Sequence, residues 1–400
     1  MTGVLSGIRV LDLTNVLAGP LAAYQLALQG ADVIKVEAPG TGDLARVLGH
    51  DPGLSKKLMG ASFLAQNAGK RSITVNLKSE AGKALFLKLV STADVVVENF
   101  RPGVMDRLGV GQATLRAANP KLIYCAISGF GQEGPMRGAP AYDQIVQGLS
   151  GVMSITGDRE TAPLRVGYPV ADTIGGITAA FAISAALAGR ERNGEGAFID
   201  VSMLDSTLAT MGWVVSNYLL CGQEPVPMGN DNFTAAPSGA FRTGDGLLNI
   251  AANKQEQFIA LLGLIGRPEL ADDPRFAARE GRKQNRAALT VELEAALAAR
   301  PAAEWETILN KAGVPSGRVL SVPEALNLEQ VKGRGLVKNL GRVEGLDTEI
   351  QVLRSGFTIE GAEPDVSAPP PWLGQQTDAI LDELGYSPAD IAALHERGDV

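Results

Sequence analysis

The sequence predicts an α/β protein, with a parallel sheet between flanking helices followed by a smaller second domain. Three observations carry that expectation. Short apolar runs alternate with helical stretches across residues 7–127, residues 7–37 alone spell out a β-α-β unit, and the texture changes beyond Asp172.

The first unit opens on Gly7-Ile-Arg-Val-Leu-Asp-Leu13, an apolar run of strand length that suits a buried position. Pro20 starts a helical stretch that runs to Gln29 and stops at Gly30, following the proline-in, glycine-out asymmetry of helix ends. Ala31–Glu37 supplies the second strand and Ile73–Leu77 another. Lys83–Ser91 reads as a helix, Asp94–Glu98 as a strand, Gln112–Ala118 as a helix and Leu122–Ile127 as a strand. Near-continuous apolar strands separated by helices imply a parallel sheet covered on both faces. Later, Asp172–Gly189 and Ser202–Leu220 read as helices with Gly196–Val201 as a strand between them. Pro225–Pro237 is a loop of Pro, Gly and Asn at a domain boundary. Residues 238–320 mix a strand (Gly246–Ala251) with helices (Gln255–Ile265, Arg286–Arg300, Ala303–Ala312), and a few strand-like segments and a helix through Asp382 close the chain.

The 400 residues carry 36 Lys or Arg against 44 Asp or Glu, two His and two Cys, and a formal charge of −8. An acidic chain does not suit nucleic acid, whose binding needs clustered cations. Cys125 and Cys221 cannot build a disulfide framework or a four-cysteine zinc site. His50 and His395 leave little for a histidine-ligated metal or a Ser-His-Asp triad. The first residues lack a cationic stretch followed by an apolar one, and the uncharged runs suit buried helices better than membrane spans. A cytoplasmic protein with no nucleic-acid or membrane partner is therefore expected.

Two nucleotide motifs fail. The first β-α turn, Thr14–Pro20, holds Gly19 alone where a dinucleotide fold needs Gly-x-Gly-x-x-Gly, so Glu37 does not read as a ribose-binding acid. Ala68-Gly-Lys-Arg-Ser72 lacks both the leading glycine and the Ser or Thr after the lysine of a phosphate loop. Residues 56–107 nevertheless contain nine Lys or Arg and four acids, a +5 window in a chain whose remainder carries −13. Such a region suits a small polyanion, and uneven surface charge explains it equally well.

Asp172 stands in Gly167-Tyr-Pro-Val-Ala-Asp-Thr-Ile-Gly-Gly176 at the expected start of a helix. An Asp there is first of all a helix cap. Gly175 and Gly176 in the first turn cost the helix about 1 kcal/mol each, which makes sense if another backbone or a ligand must come close. A carboxylate at a helix N-terminus is expected to stay ionised and so to be available as an acyl acceptor.

The ordered blocks resemble a class III coenzyme A transferase, the CaiB/BaiF family of formyl-CoA and carnitine CoA-transferases, over nearly the whole chain. The blocks are Leu5–Thr14 with Ala18-Gly-Pro20, Gly30–Glu37 with Gly42-Asp43, Lys70-Arg71-Ser72, Val97-Glu-Asn-Phe-Arg-Pro-Gly103 with Asp106-Arg107, Ala141-Tyr-Asp143 through Gly151, Asp172 with its glycines, and Leu373-Gly374. The resemblance implies a Rossmann-like large domain (residues 1–224), a small α+β domain (225–320) and a C-terminal segment (321–400) returning to the large one, with two chains interlocked as a homodimer. It makes Asp172 the catalytic aspartate. It places CoA contacts at Leu17, Ala18, Val75, Asn76, Leu77, Lys78, Asn99, Phe100, Arg101, Arg107, Ala141, Tyr142 and Asp143. Arg46 is the substitute for an arginine that the family often places where this chain has Ala38. No metal and no permanently bound cofactor are expected, since CoA enters as part of the substrate.

The implied reaction moves CoA from an acyl-CoA, succinyl-CoA by family frequency, to a free carboxylic acid through a covalent aspartyl intermediate. Asn15-Val16-Leu17 stands where formyl-CoA transferases carry His-Val-Gln, and no glycine run marks the second domain, which argues against oxalate as acceptor. The racemase branch of the fold needs a His-Asp pair to move an α-proton. Here Tyr142 occupies the histidine's place, and tyrosine is a poor base near neutrality. A 2-methylacyl-CoA racemase and a non-catalytic CoA-binding protein are the alternatives.

Overall fold

The computed structural model describes residues 3–400, which divide into two compact units. The first comprises the chain to residue 152, residues 165–223 and residues 329–400; the second comprises 153–164 and 224–328. The small domain was expected over 225–320; the second unit runs over 224–328 and also takes in 153–164, a segment expected in the large domain. That segment is tied to the second unit by the Gly229 N–H, which donates to the Gly157 carbonyl at 2.7 Å.

The first unit is built on six parallel strands, β1 (Arg9–Asp12), β2 (Asp32–Glu37), β3 (Arg71–Thr74), β4 (Val95–Glu98), β5 (Ile123–Ser128) and β6 (Phe198–Ser202). Their order is β3-β2-β1-β4-β5-β6, so the chain reverses direction between β1 and β4. In open α/β sheets such a reversal leaves a crevice at the carboxyl ends of the strands. Strand alternation divides the core in two. Val10, Val33, Val95 and Ile123 pack against Ala22, Leu26, Ala179 and Ile183, whereas Leu11, Ile34, Ile73 and Val96 pack on the other face with Phe86 and Leu89. Adjacent residues pointing to opposite faces explains why both halves of each strand had to be apolar.

The first helix (Ala18–Leu28) and the long helix Val170–Asn193 share one face of that sheet. The long helix is apolar and long enough to cross a membrane, yet its Ala179, Ile183 and Leu187 are core residues here. A Cβ at Gly176 would lie 2.5 Å from the Ala18 carbonyl oxygen, and one at Gly175 would lie 2.9 Å from the Met203 side chain. The paired glycines thus serve the close approach of two helices.

The single helix expected over 202–220 is two helices, Met203–Thr210 and Trp213–Cys221, because Gly212 adopts φ 51° between them. In the second unit an antiparallel sheet, β7 (Ser238–Arg242), β8 (Leu247–Ala251) and β9 (Ser316–Arg318), packs on helices Gln255–Leu264, Arg286–Leu297 and Ala302–Lys311 around Phe241, Leu248, Phe258 and Trp305. Residues 329–400 bring a hairpin, β10 (Val337–Arg342) with β11 (Glu349–Leu353), and a helix, Thr377–Glu383, whose Ile380 and Leu381 join the large core.

Candidate active site

A cleft of about 370 Å³ lies where the strand order reverses. The residues that follow β1 (Leu13, Thr14, Asn15), β2 (Ala38), β3 (Val75–Lys78) and β4 (Phe100) form its walls. Val75, Asn76, Leu77, Lys78 and Phe100, all expected to contact CoA, are thereby brought to one place. Arg101 and Arg107 are exposed on the segment after β4, whose Val104 and Leu108 also line the cleft. Among the described residues, no ion pair occupies Lys78, Arg101 or Arg107. Unneutralised cations of this kind are suited to phosphate groups.

Most of the basic window is spent internally. Lys70 is buried on Asp12 at 2.8 Å, and burial lowers its pKa to about 8. Arg71 pairs with Asp32 and Glu383, Lys57 reaches the Gly345 carbonyl, Lys83 pairs with Glu80, and Lys88 lies over the Tyr386 ring.

Arg46 is not a ligand-binding arginine. It is fully buried, with Nε and Nη2 each 2.7 Å from the Glu37 carboxylate and its guanidinium stacked 3.7 Å over the Phe63 ring. The same carboxylate accepts the Asp43 N–H and the Ser72 hydroxyl, so Glu37 has no capacity left for a ribose.

Asn99 likewise faces inward. Its Oδ1 accepts the Asn15 N–H and its Nδ2 donates to the Asn15 carbonyl, both at 2.8 Å. The side chain expected on CoA is a two-point clamp on the β1 loop. Next in that loop, Val16 has φ 68°, a left-handed conformation that costs a β-branched residue on the order of 1–3 kcal/mol. Leu17 and Ala18 follow directly, opening a first helix with no side-chain cap.

Asp172 is half-buried in the first turn of the long helix, whose N-cap is Pro169. The cap reading of Asp172 is therefore corrected: the capping carboxylate belongs to Asp143. Its Oδ1 accepts the N–H groups of Ala171 (2.9 Å) and Asp172 (3.4 Å), and its Oδ2 accepts from Gln147 Nε2 at 2.7 Å. Asp143 is buried and fully engaged, which removes its carboxylate as a CoA contact. Tyr142 beside it is 68% exposed, and Ala141 packs against Gly129. The Asp172 carboxylate has no hydrogen bond or ion pair among the described residues. Burial raises its pKa to about 7, with the Asp143 charge adding to the effect. Desolvation thus outweighs the helix N-terminus that was expected to keep it ionised. A half-buried, unpaired carboxylate titrating near neutrality is poised for chemistry.

The model for CoA-transferase family III matches residues 5–377. The chain belongs to that family. A curated relative, the acetyl-CoA:oxalate CoA-transferase of Acetobacter aceti, is 45% identical over 96% of each chain. The succinate–glutarate CoA-transferase of Agrobacterium fabrum is 39% identical over 95% of each. Among solved structures, a CaiB/BaiF family protein from Brucella suis is 36% identical with a TM-score of 0.84, covering 96% of this chain and all of that one. The protein is a CoA-transferase enzyme.

Within this family III transferase, Asp43 and Gln147 are the site residues that sequence reasoning gave no role. Asp43 Oδ1 accepts the Val16 N–H at 2.9 Å. Gln147 is fully buried; it donates to Asp143 and accepts the Val166 N–H at 2.9 Å, fixing the segment that leads to Asp172. Gly42-Asp43 stood out as a block, but nothing in the sequence linked it to residue 16, and Gln147, inside the 141–151 block, had nothing that singled it out.

Proposed function

We propose that Asp172 is the nucleophile of a covalent CoA transfer from succinyl-CoA or a similar donor to a small dicarboxylic acid. The observation that carries this reading is the unpaired, half-buried Asp172 carboxylate, in a chain of CoA-transferase family III.

An Asp172 oxygen attacks the donor thioester carbonyl, and the C–S bond breaks to release CoA thiolate and leave a mixed anhydride. The thiolate attacks the aspartyl carbonyl of the anhydride, freeing the donor's carboxylate and forming an aspartyl-CoA thioester. The acceptor carboxylate then attacks that thioester, releasing thiolate and giving a second anhydride. Attack of the thiolate on the acceptor's carbonyl yields the new acyl-CoA and restores Asp172. No proton is consumed, provided Asp172 starts ionised. The tetrahedral oxyanions need N–H donors, for which the uncapped start of the first helix is suited. Lys78, Arg101 and Arg107 would meet the CoA phosphates.

Relatives named for oxalate and for glutarate support the dicarboxylate class. The relative named for oxalate puts oxalate in the acceptor panel, to be tested against the reading of Asn15-Val16-Leu17 that argued against it. Proton abstraction gains no support from the histidines: His50 is exposed in a loop and His395 pairs with Asp378 on the C-terminal helices. Phe181, Trp213, Leu219 and Leu220 stand exposed, which suits the second copy of the chain that the resemblance implies.

Hydroxylamine added after the donor is expected to leave a hydroxamate on Asp172, found by peptide mass spectrometry, while Asp172→Ala neither traps nor turns over. An Asp172→Ala enzyme transferring CoA at the wild-type rate would sink the reading. Deuterium gained at the α-carbon of a 2-methylacyl-CoA in heavy water would favour the racemase instead.

A further inference from the structure

We propose that Asn99 and Asp43 are positioning residues for acyl transfer: together they hold Val16 in its left-handed conformation, so that Leu17 and Ala18 stay in place beside the Asp172 helix.

The loop between β1 and the first helix is gripped at nearly every backbone polar group. Asp12 accepts the Thr14 N–H and hydroxyl. Lys35 donates to the Thr14 carbonyl at 2.9 Å. Asn99 takes both the N–H and the carbonyl of Asn15, and Asp43 takes the N–H of Val16. Lys70 reaches the Pro20 carbonyl at 3.0 Å. Asp12, Lys35, Asp43 and Lys70 are all buried, and Lys35 ties Asp43 to the rest with a 2.9 Å ion pair. Burying four charges to fasten a five-residue loop is far more than a surface turn requires.

What the loop delivers is the start of the first helix. Ala18 is the residue whose carbonyl the Gly176 backbone approaches, one turn beyond Asp172. A non-glycine residue at φ 68° relaxes to negative φ once its restraints go. Releasing Val16 therefore displaces Leu17 and Ala18, and misplacement near a reacting group lowers turnover more than binding.

Asn99→Ala removes both bonds to Asn15 without stranding a charge. It is expected to lower kcat about tenfold or more while moving the KM for acyl-CoA by less than about threefold. Glycine populates positive φ freely, so in a Val16→Gly background the same change is expected to cost roughly threefold or less. Asp43→Ser, whose hydroxyl is too short for Val16 and which also leaves buried Lys35 without its 2.9 Å partner, is expected to lower kcat likewise but to be relieved less by Val16→Gly. A role of Asn99 in gripping CoA raises KM in both backgrounds and overturns the proposal. An equal kcat loss in the wild-type and Val16→Gly backgrounds overturns it too, as does unfolding of both variants in thermal melts, which would make the pair plain structural supports. The inference rests on Asp172 being the reacting group. An active Asp172→Ala enzyme removes that foundation, whereas equal losses beside an inactive Asp172→Ala enzyme remove only this proposal.

Discussion

Asp143 holds Asp172 by its backbone and opposes its charge. One carboxylate oxygen accepts the N–H groups of Ala171 and Asp172, and the same negative charge adds to the burial that lifts the Asp172 pKa to about 7. The residue that fixes Asp172 in place thus also makes it harder to ionise.

That coupling sets a pH dependence. In the proposed mechanism only ionised Asp172 attacks the thioester, so kcat/KM is expected to rise with pH through an acid limb near 7. Asp143→Asn keeps an acceptor for the two N–H groups and removes the charge. The acid limb then moves to lower pH, by less than the whole displacement because burial is the larger cause. Initial rates from about pH 5 to 9 at subsaturating acyl-CoA measure it. A limb that stays where it was would show that Asp143 exerts no charge effect on Asp172.

The fold was legible where the signal is local. The β1, first-helix and β2 unit follows from a seven-residue apolar run, Pro20 and Gly30, and the parallel sheet from strands buried on both faces. Asp172 stood out by its glycines and by the resemblance; alone it reads as a cap, because a cap and a nucleophile at a helix start have the same sequence. The residues that organise the site were hidden for a different reason. Asn99 meets Asn15 across 84 residues, Asp143 meets Ala171 across 28, and Asp43 meets Val16 across 27. These contacts exist only after the sheet has formed. The basic window misled for the same cause, since Lys70 and Arg71 find their acids, Asp12 and Asp32, outside it.

The cations separate into two kinds with different readouts. Lys78 lines the cleft and Arg107 stands exposed on the segment beside it, neither in an ion pair among the described residues, so Lys78→Ala and Arg107→Ala are expected to raise the KM for acyl-CoA roughly threefold to thirtyfold and leave kcat nearly unchanged. Added salt should shrink the difference from wild type. Arg46→Ala leaves the buried Glu37 carboxylate without its partner, which costs about 3–5 kcal/mol of stability. Its signature is a lower Tm with an ordinary KM in whatever fraction stays folded. A selective rise in KM for Arg46→Ala would return that arginine to the CoA site.

Asp172 also places a stability cost on the fold. Its pKa is near 7 in the folded chain and near the ordinary 3.8 when unfolded, so between these values folding takes up a proton. The stabilising contribution of this group is complete below about pH 4 and is lost as pH rises through about 7. Asp172→Asn is nearly isosteric and has no charge to bury. Its stability advantage over wild type is therefore expected to grow between about pH 4 and 7 and to level off above, at on the order of 2 kcal/mol and a few degrees in Tm once the full shift is discounted for solvent screening of the half-exposed carboxylate. Paired thermal melts at about pH 5 and pH 8 test this directly. The variant should melt higher than wild type at the upper pH by clearly more than at the lower, while having no transferase activity at either. If wild type is the more stable at the upper pH, the Asp172 carboxylate has found a partner that stabilises its charge, and the desolvation account of its raised pKa fails.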